Sequence, residues 1–356
     1  MSAVRAVDMS STVDAATLLR EMLAVPSVSG SEQRLARRLA DVLDGVGFAV
    51  RIDTAGNVVA GWGEGAHRTV LAGHMDTVAG YIDVRREGDR LYGRGAVDAK
   101  GPLAAAITAV TRQRRDGGRR FLIAALVEEE TTSRGARELL RQVDAPDELI
   151  VLEPSGWDGV TIGYKGSLRL RWSLTQPASH SAGATPSASD RGVEFVHALR
   201  DLARARSSGT GIFDRIDVRV LGCGSTADGL VDSATFDMGI RVPPGCDIAD
   251  IHLAVTQLAD GGDVCIAGAE PAVRTDRNSR LARDLVAAIR ANGGSPRFKL
   301  KTGTSDLNIL APAWGCPAVA YGPGDSKLDH TADEHIDGRD LDRAVNVLSN
   351  ALQARR

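Results

Sequence analysis

The stretch Thr69-Val70-Leu71-Ala72-Gly73-His74-Met75-Asp76 decides the fold class, because it joins a short apolar run to two polar side chains. A continuous apolar run of this kind predicts a strand buried on both faces, as in a parallel sheet. Similar runs occur at residues 121–127, 149–152 and 318–321, and helix-forming stretches such as residues 103–106 separate them. The sequence therefore predicts an α/β fold in which a mostly parallel sheet carries helices on both faces.

A helix is predicted ahead of this sheet. Its apolar residues recur at helical spacing and so share one face: Leu35, Leu39, Val42, Leu43 and Val46. Ser29 or Ser31 is a candidate cap for its first turn, and Gly47 is expected to end it. The first domain is thus expected to begin with a helix that packs through one apolar face.

The middle of the chain has a different pattern. Apolar and polar residues alternate in segments 167–172 and 216–220, which predicts half-buried antiparallel strands. Helical stretches occur among them. We therefore predict an inserted α+β domain at residues 166–274, with residues 1–165 and 275–356 forming the surrounding α/β domain.

Composition and charge exclude several classes of protein. The chain of 356 residues is long enough for two lobes, and its formal net charge of −3 offers no basic excess for binding nucleic acid or an anionic membrane. The four cysteines lie far apart and match no zinc-knuckle spacing or disulfide framework. Residues 1–12 show no export signal, and no run of about 18 apolar residues occurs. These features predict a cytoplasmic protein.

Side chains able to bind a metal follow the apolar runs. They are His74 and Asp76 after the first run, Asp98 in a later loop, residues 128–130 after the second run, Glu153 after the third and His330 after the last. In open α/β sheets, ligands collect beyond the carboxyl ends of the strands, so these residues are expected to converge. Two histidines and several carboxylates without cysteine favour zinc, with cobalt or manganese as alternatives. Each residue taken alone is more simply explained as a surface carboxylate or a core histidine.

Three of these segments carry a resemblance to a known family. They are His74-Met75-Asp76, the segment Gly93-Arg94-Gly95-Ala96-Val97-Asp98-Ala99-Lys100-Gly101, and Glu128-Glu129-Glu130. Together they resemble the dinuclear-zinc amidohydrolases, which include acetylornithine deacetylase, succinyl-diaminopimelate desuccinylase, aminoacylase and carboxypeptidase G. The resemblance runs over nearly the whole chain. It implies a hydrolase that cuts an amide bond with two divalent metal ions and an inserted domain that serves as a dimerisation domain and lid.

The resemblance also implies roles for the candidate ligands. It makes Asp98 a carboxylate that bridges both ions, with His74 and Glu153 on one ion and Glu130 and His330 on the other. Asp76 is then expected to accept a hydrogen bond from His74 and to fix the tautomer of its ring, as histidines that bind metals usually require.

The three consecutive glutamates leave two alignments open. Members of the family show Asp-Glu-Glu with a glycine five residues after the last glutamate, and Gly135 stands five residues after Glu130. This alignment makes Glu129 the general base and Glu130 the metal ligand. The neighbouring alignment, with Glu128 as base and Glu129 as ligand, is the alternative.

Further residues are implied to contact the substrate. His180, within residues 178–183, resembles a histidine that the family supplies from the opposite subunit of a dimer to stabilise the oxyanion. Its alternative is a solvated turn residue. Arg241 offers a planar fork for a substrate carboxylate, with a surface salt bridge as the alternative. Thr304 and Ser305 are implied to assist it, although the start of a helix explains them equally well.

Three segments, residues 153–166, 301–308 and 321–330, resemble one branch of the family, the [LysW]-lysine or ornithine hydrolases. That branch releases lysine or ornithine from the C-terminal glutamate of a small acidic amino-group carrier protein. The arginines at positions 112–120 and 134–141 are candidates for steering such a carrier. Solvated helix faces explain the same arginines more simply.

Alternative functions stay open at this point. The nearest are deacylation of a small N-acyl amino acid, such as N-acetylornithine or N-acetyl-lysine, and cleavage of a dipeptide. A different class is a catalytically silent dimeric binding protein, since a fold does not determine function. The complete set of metal ligands and the base argue against a silent protein.

Overall fold

The structure, a computed structural model, describes residues 13–116, 118–209 and 211–353. The prediction that residues 1–12 carry no export signal lies outside this part of the chain. The chain divides into two compact units. Unit 1 contains Met1–Ile162, Thr275–Lys299 and Ile309–Arg356, and unit 2 contains Gly163–Arg274 and Leu300–Asn308. The predicted domain boundaries did not include the return of the chain to unit 2 at Leu300–Asn308.

The helices of the described residues, numbered in chain order, are α1 (Ala15–Leu23), α2 (Gln33–Gly45), α3 (Lys100–Thr111), α4 (Arg134–Gln142), α5 (Ala188–Arg206), α6 (Ile248–Gln257), α7 (Arg280–Ala291), α8 (Leu307–Trp314) and α9 (Gly338–Leu352). The strands are β1 (Ala49–Ile52), β2 (Val58–Trp62), β3 (His67–His74), β4 (Arg85–Glu87), β5 (Arg90–Tyr92), β6 (Arg119–Leu126), β7 (Glu148–Val151), β8 (Gly159–Tyr164), β9 (Gly166–Pro177), β10 (Asp217–Ala227), β11 (Val231–Val242), β12 (Asp263–Glu270), β13 (Val273–Arg274), β14 (Arg297–Lys301), β15 (Ala318–Ala320) and β16 (His335–Asp337).

One large sheet dominates unit 1. Its strands lie in the order β1-β2-β6-β3-β7-β15-β8. β3 pairs in parallel with β6 and β7, and β7 pairs in parallel with β15, whereas β1, β2 and β8 add antiparallel pairs at the two sides. Successive residues of β3 and β7 are buried, which requires that both faces of the sheet be covered. The predicted α/β fold is confirmed, with antiparallel strands flanking the parallel centre.

The core of unit 1 forms around the predicted apolar runs. Leu71, Ile123, Ile150 and Val319 come from four neighbouring strands and are fully buried. The helices α1, α2, α3, α7 and α9 contribute further buried residues to this core. Because the central strands are parallel neighbours, their carboxyl ends lie at the same edge of the sheet, and this edge carries the candidate ligands.

The predicted helix is present as α2, and it ends at Gly47 as predicted, because Gly47 follows the C-cap with a φ of 96°. The predicted N-caps were wrong. Its N-cap is Glu32, which makes no capping hydrogen bond with its side chain, and its C-cap is Val46. The hydroxyl of Ser29 instead donates to Oδ2 of Asp76 at 2.7 Å. Ser29 therefore contacts a residue of the candidate site and does not cap the helix.

A second, three-stranded sheet in unit 1 has the order β16-β5-β4. β16 pairs antiparallel with β5, and His335 lies opposite Tyr92. This pairing brings the residue before β16, Glu334, close to the loop that follows β5 at Gly93.

Unit 2 contains the predicted α+β arrangement. Its antiparallel sheet has the order β10-β11-β9-β12, and α5 and α6 supply buried residues to its core. Trp172 lies at the centre of that core. Its ring lies 5.7 Å from that of Phe195 and 5.9 Å from that of Phe236, and its Nε1 donates to the carbonyl of Ala259 at 3.1 Å.

The four cysteines are free thiols, as their spacing predicted. Among the described residues, no helix has both the length and the apolar character that crossing a bilayer requires.

Two isoleucines of unit 1 provide a matched test of the core. Ile123 in β6 is fully buried, whereas Ile52 in β1 is 44% exposed. Ile123→Ala is expected to lower the free energy of unfolding by about 2–5 kcal/mol, because it removes buried methyl groups and leaves a cavity. Ile52→Ala is expected to cost less than about 1 kcal/mol. Urea denaturation followed by circular dichroism measures both, and equal effects would contradict the assigned core.

Candidate metal centre

The carboxyl ends of the central strands bring the candidate ligands together. His74 is the last residue of β3, and Glu153 follows β7 by two residues. Glu129 and Glu130 follow β6. The two remaining candidates come from loops: Asp98 precedes α3, and His330 follows β15. All of them belong to unit 1.

The donor atoms form two groups that share one residue. His74, Asp98 and Glu153 form the first group, and Asp98, Glu130 and His330 form the second, with the donor atoms of each group within 4.8 Å of one another. Oδ1 of Asp98 lies 3.1 Å from Nε2 of His74, and Oδ2 lies 3.1 Å from Nε2 of His330. Asp98 therefore presents one oxygen to each group, as a bridging carboxylate would.

The other contacts complete the two groups. Oε1 of Glu130 lies 2.8 Å from Nε2 of His330, and Oε1 of Glu153 lies 4.0 Å from Nε2 of His74. Glu129 joins His74 and Glu130 in a further group of donor atoms within the same distance limit of 4.8 Å. The carboxylate of Glu129 is thus close to the shared centre.

The two histidines compensate part of the negative charge. Burial opposes protonation of His74, but the carboxylates of Asp76 and Asp98 raise its pKa well above the ordinary value. Hydrogen bonds to Asp98 and Glu130 raise the pKa of His330 to about 10. Burial opposes ionisation of Asp98, yet hydrogen bonds with His330 and His74 hold its pKa well below the usual range. Positive charge is therefore strongly favoured between these atoms, and divalent ions would compete with the histidine protons.

The donor set fits two divalent metal ions. Imidazole nitrogens and carboxylate oxygens without thiolates suit zinc, cobalt and manganese. Each group offers three protein ligands around one position, which leaves room for water or substrate, as catalytic rather than structural sites do.

Asp76 supports the centre in two ways. Nδ1 of His74 lies 2.9 Å from the backbone oxygen of Asp76 and 3.4 Å from its Oδ1, so Nδ1 carries the proton and Nε2 faces Asp98. The same carboxylate accepts hydrogen bonds from the backbone amides of Glu129 and Glu130, each at 3.1 Å. The tautomer of the ligand histidine and the conformation of the glutamate loop therefore depend on one buried aspartate.

Glu128 belongs to none of the three groups of donor atoms. Its carboxylate accepts hydrogen bonds from the hydroxyl of Thr132 at 2.6 Å and from Nε of Arg134 at 2.8 Å, and these bonds lower its pKa. Its backbone has a φ of 57°, in the left-handed region. This geometry supports the alignment that uses Glu129 and Glu130.

The backbone of His330 is also left-handed, with a φ of 61°. A residue other than glycine rarely adopts this conformation, and such strain concentrates at functional sites. The turn before it is held by a hydrogen bond from the amide of Leu328 to the carbonyl of Asp325 and by one from the amide of Thr331 to the carbonyl of Leu328.

The remaining candidate residues lie in unit 2. His180 is exposed, and its Nδ1 accepts a hydrogen bond from the amide of Ala182 at 3.1 Å, so the neutral ring carries its proton on Nε2. Nη1 of Arg241 donates to the hydroxyl of Thr304 at 3.0 Å. Ser305 is buried, and its hydroxyl accepts from the amide of Leu307 at 3.2 Å, as the helix-start interpretation predicts.

Most arginines considered for steering a carrier make contacts within the chain. Arg119 pairs with the buried Glu148 at 2.5 Å, and Arg134 pairs with Glu128 at 2.8 Å. Further contacts join Arg112 to Asn346, Arg114 to Asp116, Arg115 to Gly47 and Arg141 to Glu138. These contacts favour a structural role for those side chains.

Two buried acids in unit 1 were missed at the sequence level. Oε1 of Glu32 accepts from the amides of Gly30 and Glu128 at 2.9 and 3.1 Å. Glu334 accepts from several amides of the loop that carries Asp98. The sequence offered one weak indication of this role, namely that Glu334 stands four residues after the candidate ligand His330.

Comparison with known proteins agrees with this geometry. A [LysW]-lysine hydrolase of Deinococcus radiodurans is 43% identical, over 94% of this chain and 95% of the relative. A [LysW]-lysine/[LysW]-ornithine hydrolase of Sulfurisphaera tokodaii is 30% identical, over 94% of each chain. The fold resembles that of the M20 family metallo-carboxypeptidase Sso-CP2 from Sulfolobus solfataricus, with a TM-score of 0.78 and 19% identity over 96% of this chain and 99% of that one.

The family model described as Peptidase family M20/M25/M40 matches residues 70–354. That span contains every residue of the two donor groups. The chain therefore belongs to Peptidase family M20/M25/M40 and is a metal-dependent hydrolase.

Proposed function

We propose that this enzyme releases lysine or ornithine from the C-terminal glutamate of a small acidic amino-group carrier protein of the LysW type. The observation that carries the proposal is the 43% identity, over nearly the full length of both chains, to a relative named for that reaction. The two donor groups that share Asp98 support the hydrolytic chemistry. The bond would be the amide between a glutamate γ-carboxyl and the α-amino group of the product.

The proposed chemistry assigns separate tasks to the residues of the centre. His74, Asp98 and Glu153 would hold one divalent ion, and Asp98, Glu130 and His330 the other, with zinc as the proposed metal. Bound there, the ions would lower the pKa of a water molecule and polarise the scissile carbonyl.

Glu129 would accept the proton of the attacking water and return it to the leaving amine. Its carboxylate lies among the donor atoms of the centre, and its amide is held by Asp76. A general base must lie within reach of the proton it removes, and the position of Glu129 beside the donor groups supports this proposed role.

Unit 2 would recognise the substrate. Arg241 and Thr304 contact each other, and we propose that they bind the α-carboxylate of the released amino acid, with the buried Ser305 holding the segment in place. We further propose that the protein is a cytoplasmic homodimer and that His180 acts in the active site of the partner subunit. The N–H group at its Nε2 would donate a hydrogen bond to the oxyanion.

The substrate proposal predicts a preference that can be measured directly. We expect the enzyme to release lysine or ornithine from carrier protein that bears either amino acid on its C-terminal glutamate. Mass spectrometry of the carrier measures this release. N-acetyl-lysine, N-acetylornithine and a dipeptide serve as competing substrates at matched concentration. Chelation should abolish turnover, and added zinc or cobalt should restore it. Faster turnover of an acetylated amino acid or a dipeptide would contradict the carrier as substrate.

The triple glutamate predicts three distinct phenotypes. Glu129→Gln should keep two metal ions per chain and lose about 10²–10⁴-fold in kcat, because an amide cannot accept the proton of water. Glu130→Gln should weaken metal binding, since it removes a charged ligand. Glu128→Gln is the matched control and should retain metal and most activity. Metal analysis and kcat measurements check this, and loss of activity in Glu128→Gln with an active Glu129→Gln would reverse the alignment.

The proposed role of His180 predicts complementation between subunits. His180→Ala should fold, dimerise and bind metal, but lose about 10²–10³-fold in kcat with the loss of one oxyanion donor. Mixed with Glu129→Gln chains under subunit exchange, it should recover about a quarter of wild-type activity, since about half of the dimers are mixed and each has one intact site.

The control for this experiment is His197→Ala, which alters another exposed histidine of unit 2. It should leave kcat unchanged. If exchange is demonstrated and the mixture shows no activity above its parents, His180 does not act across a dimer interface.

A further inference from the structure

Glu334 is a buried acid that none of the assigned roles uses. Its side chain is 1% exposed, and it stands four residues after His330. Burial of a carboxylate is costly unless hydrogen bonds or positive charge compensate it. The partners of Glu334 therefore indicate its purpose.

Those partners are the donors of a single loop. Oε1 accepts from the amides of Gly95, Val97 and Asp98 at 3.0, 2.9 and 3.2 Å. Oε2 accepts from Nη1 of Arg94 at 2.8 Å. The backbone oxygen of Glu334 accepts in turn from the amide of Gly93 at 3.3 Å.

The loop needs such an anchor because of its conformation. Gly93 and Gly95 have φ values of 158° and 90°, so the chain turns sharply before Asp98. Within the turn, the amide of Ala96 donates to the carbonyl of Gly93, whereas the amides of Gly95, Val97 and Asp98 donate to Glu334. A buried amide without an acceptor costs free energy. One carboxylate oxygen satisfies these three amides.

Glu334 acts on the centre without being part of it. Among the described residues it belongs to none of the groups of donor atoms able to hold a metal. Its bond to the amide of Asp98 fixes the backbone from which the shared carboxylate extends. Because His330 lies on the same segment as Glu334, the anchor also sets the distance between that segment and the loop.

We propose that Glu334 is a positioning residue of the metal centre, which holds Asp98 where its two oxygens face His74 and His330 at the same time. The inference rests on the proposed two-metal centre and does not depend on which amide the enzyme cleaves. Loss of this anchor should affect both ions, because Asp98 is common to both groups.

The test is titration of the metal-free protein with cobalt(II), followed by visible absorption, which reports affinity and ligand geometry without any substrate. Glu334→Gln keeps the shape of the side chain but removes its charge and one of its two acceptor oxygens, so the four accepted hydrogen bonds are weakened or lost. We expect at least a tenfold loss of cobalt affinity and an altered absorption band. Asp333→Asn, a substitution at an exposed neighbouring acid, is the matched control and should bind as the wild type does.

Circular dichroism and thermal unfolding separate positioning from general stability. A merely structural role would lower the melting temperature of Glu334→Gln but leave the affinity and the spectrum of bound cobalt unchanged, and that result would overturn the inference.

If Glu334→Gln does not fold, Arg94→Gln replaces it, because it removes the partner of Oε2 and leaves the three amide bonds. At least a threefold loss of affinity is expected there, and wild-type binding would equally overturn the inference. Failure of wild-type protein to release lysine or ornithine while binding two cobalt ions would instead refute the proposed function alone.

Discussion

Repulsion among buried and half-buried carboxylates is the constraint on which the rest of this structure depends. Asp76, Asp98, Glu130 and Glu153 lie at one edge of the sheet, and their charges destabilise the fold unless positive charge stands between them. Protonation of His74 and His330, whose pKa values are raised, would meet part of that need, and metal ions would meet more of it. The fold must therefore hold these groups rigidly against their tendency to separate.

Backbone amides provide that rigidity. Two consecutive amides of the glutamate loop donate to Asp76, and the amide before them donates to Glu32. Three amides of the loop before α3 donate to Glu334. In each case a buried acid that is not itself a candidate metal ligand accepts hydrogen bonds from the backbone amides of a loop and so fixes the conformation of that loop. Partly positive N–H groups thereby spread the excess negative charge as well as fix the geometry.

The sequence predicted the strands, which follow from hydrophobic patterning, and the meeting of the candidate ligands at the carboxyl ends of those strands. The apolar runs around Leu71 and Ile123 became parallel neighbours, and this adjacency is why His74 and Glu130 could be expected to meet. The roles of Glu32 and Glu334 were not predicted, because a side chain that accepts hydrogen bonds from distant amides produces no periodic pattern in the sequence. Ser29 was misassigned for the same reason: its spacing fits a helix cap, but the hydrogen bond it makes is to Asp76.

The two units of the chain carry different candidate residues, those for metal binding in unit 1 and those for substrate binding in unit 2. Every residue of the donor groups lies in unit 1, whereas Arg241, Thr304 and His180 lie in unit 2. If the residues of unit 2 bind the substrate as proposed, substitutions there would alter which acyl amino acid is accepted without changing the charges of the donor groups. Substitutions in unit 1 have no such freedom. Evolution within this architecture is expected to diversify substrates while leaving the hydrolytic centre unchanged.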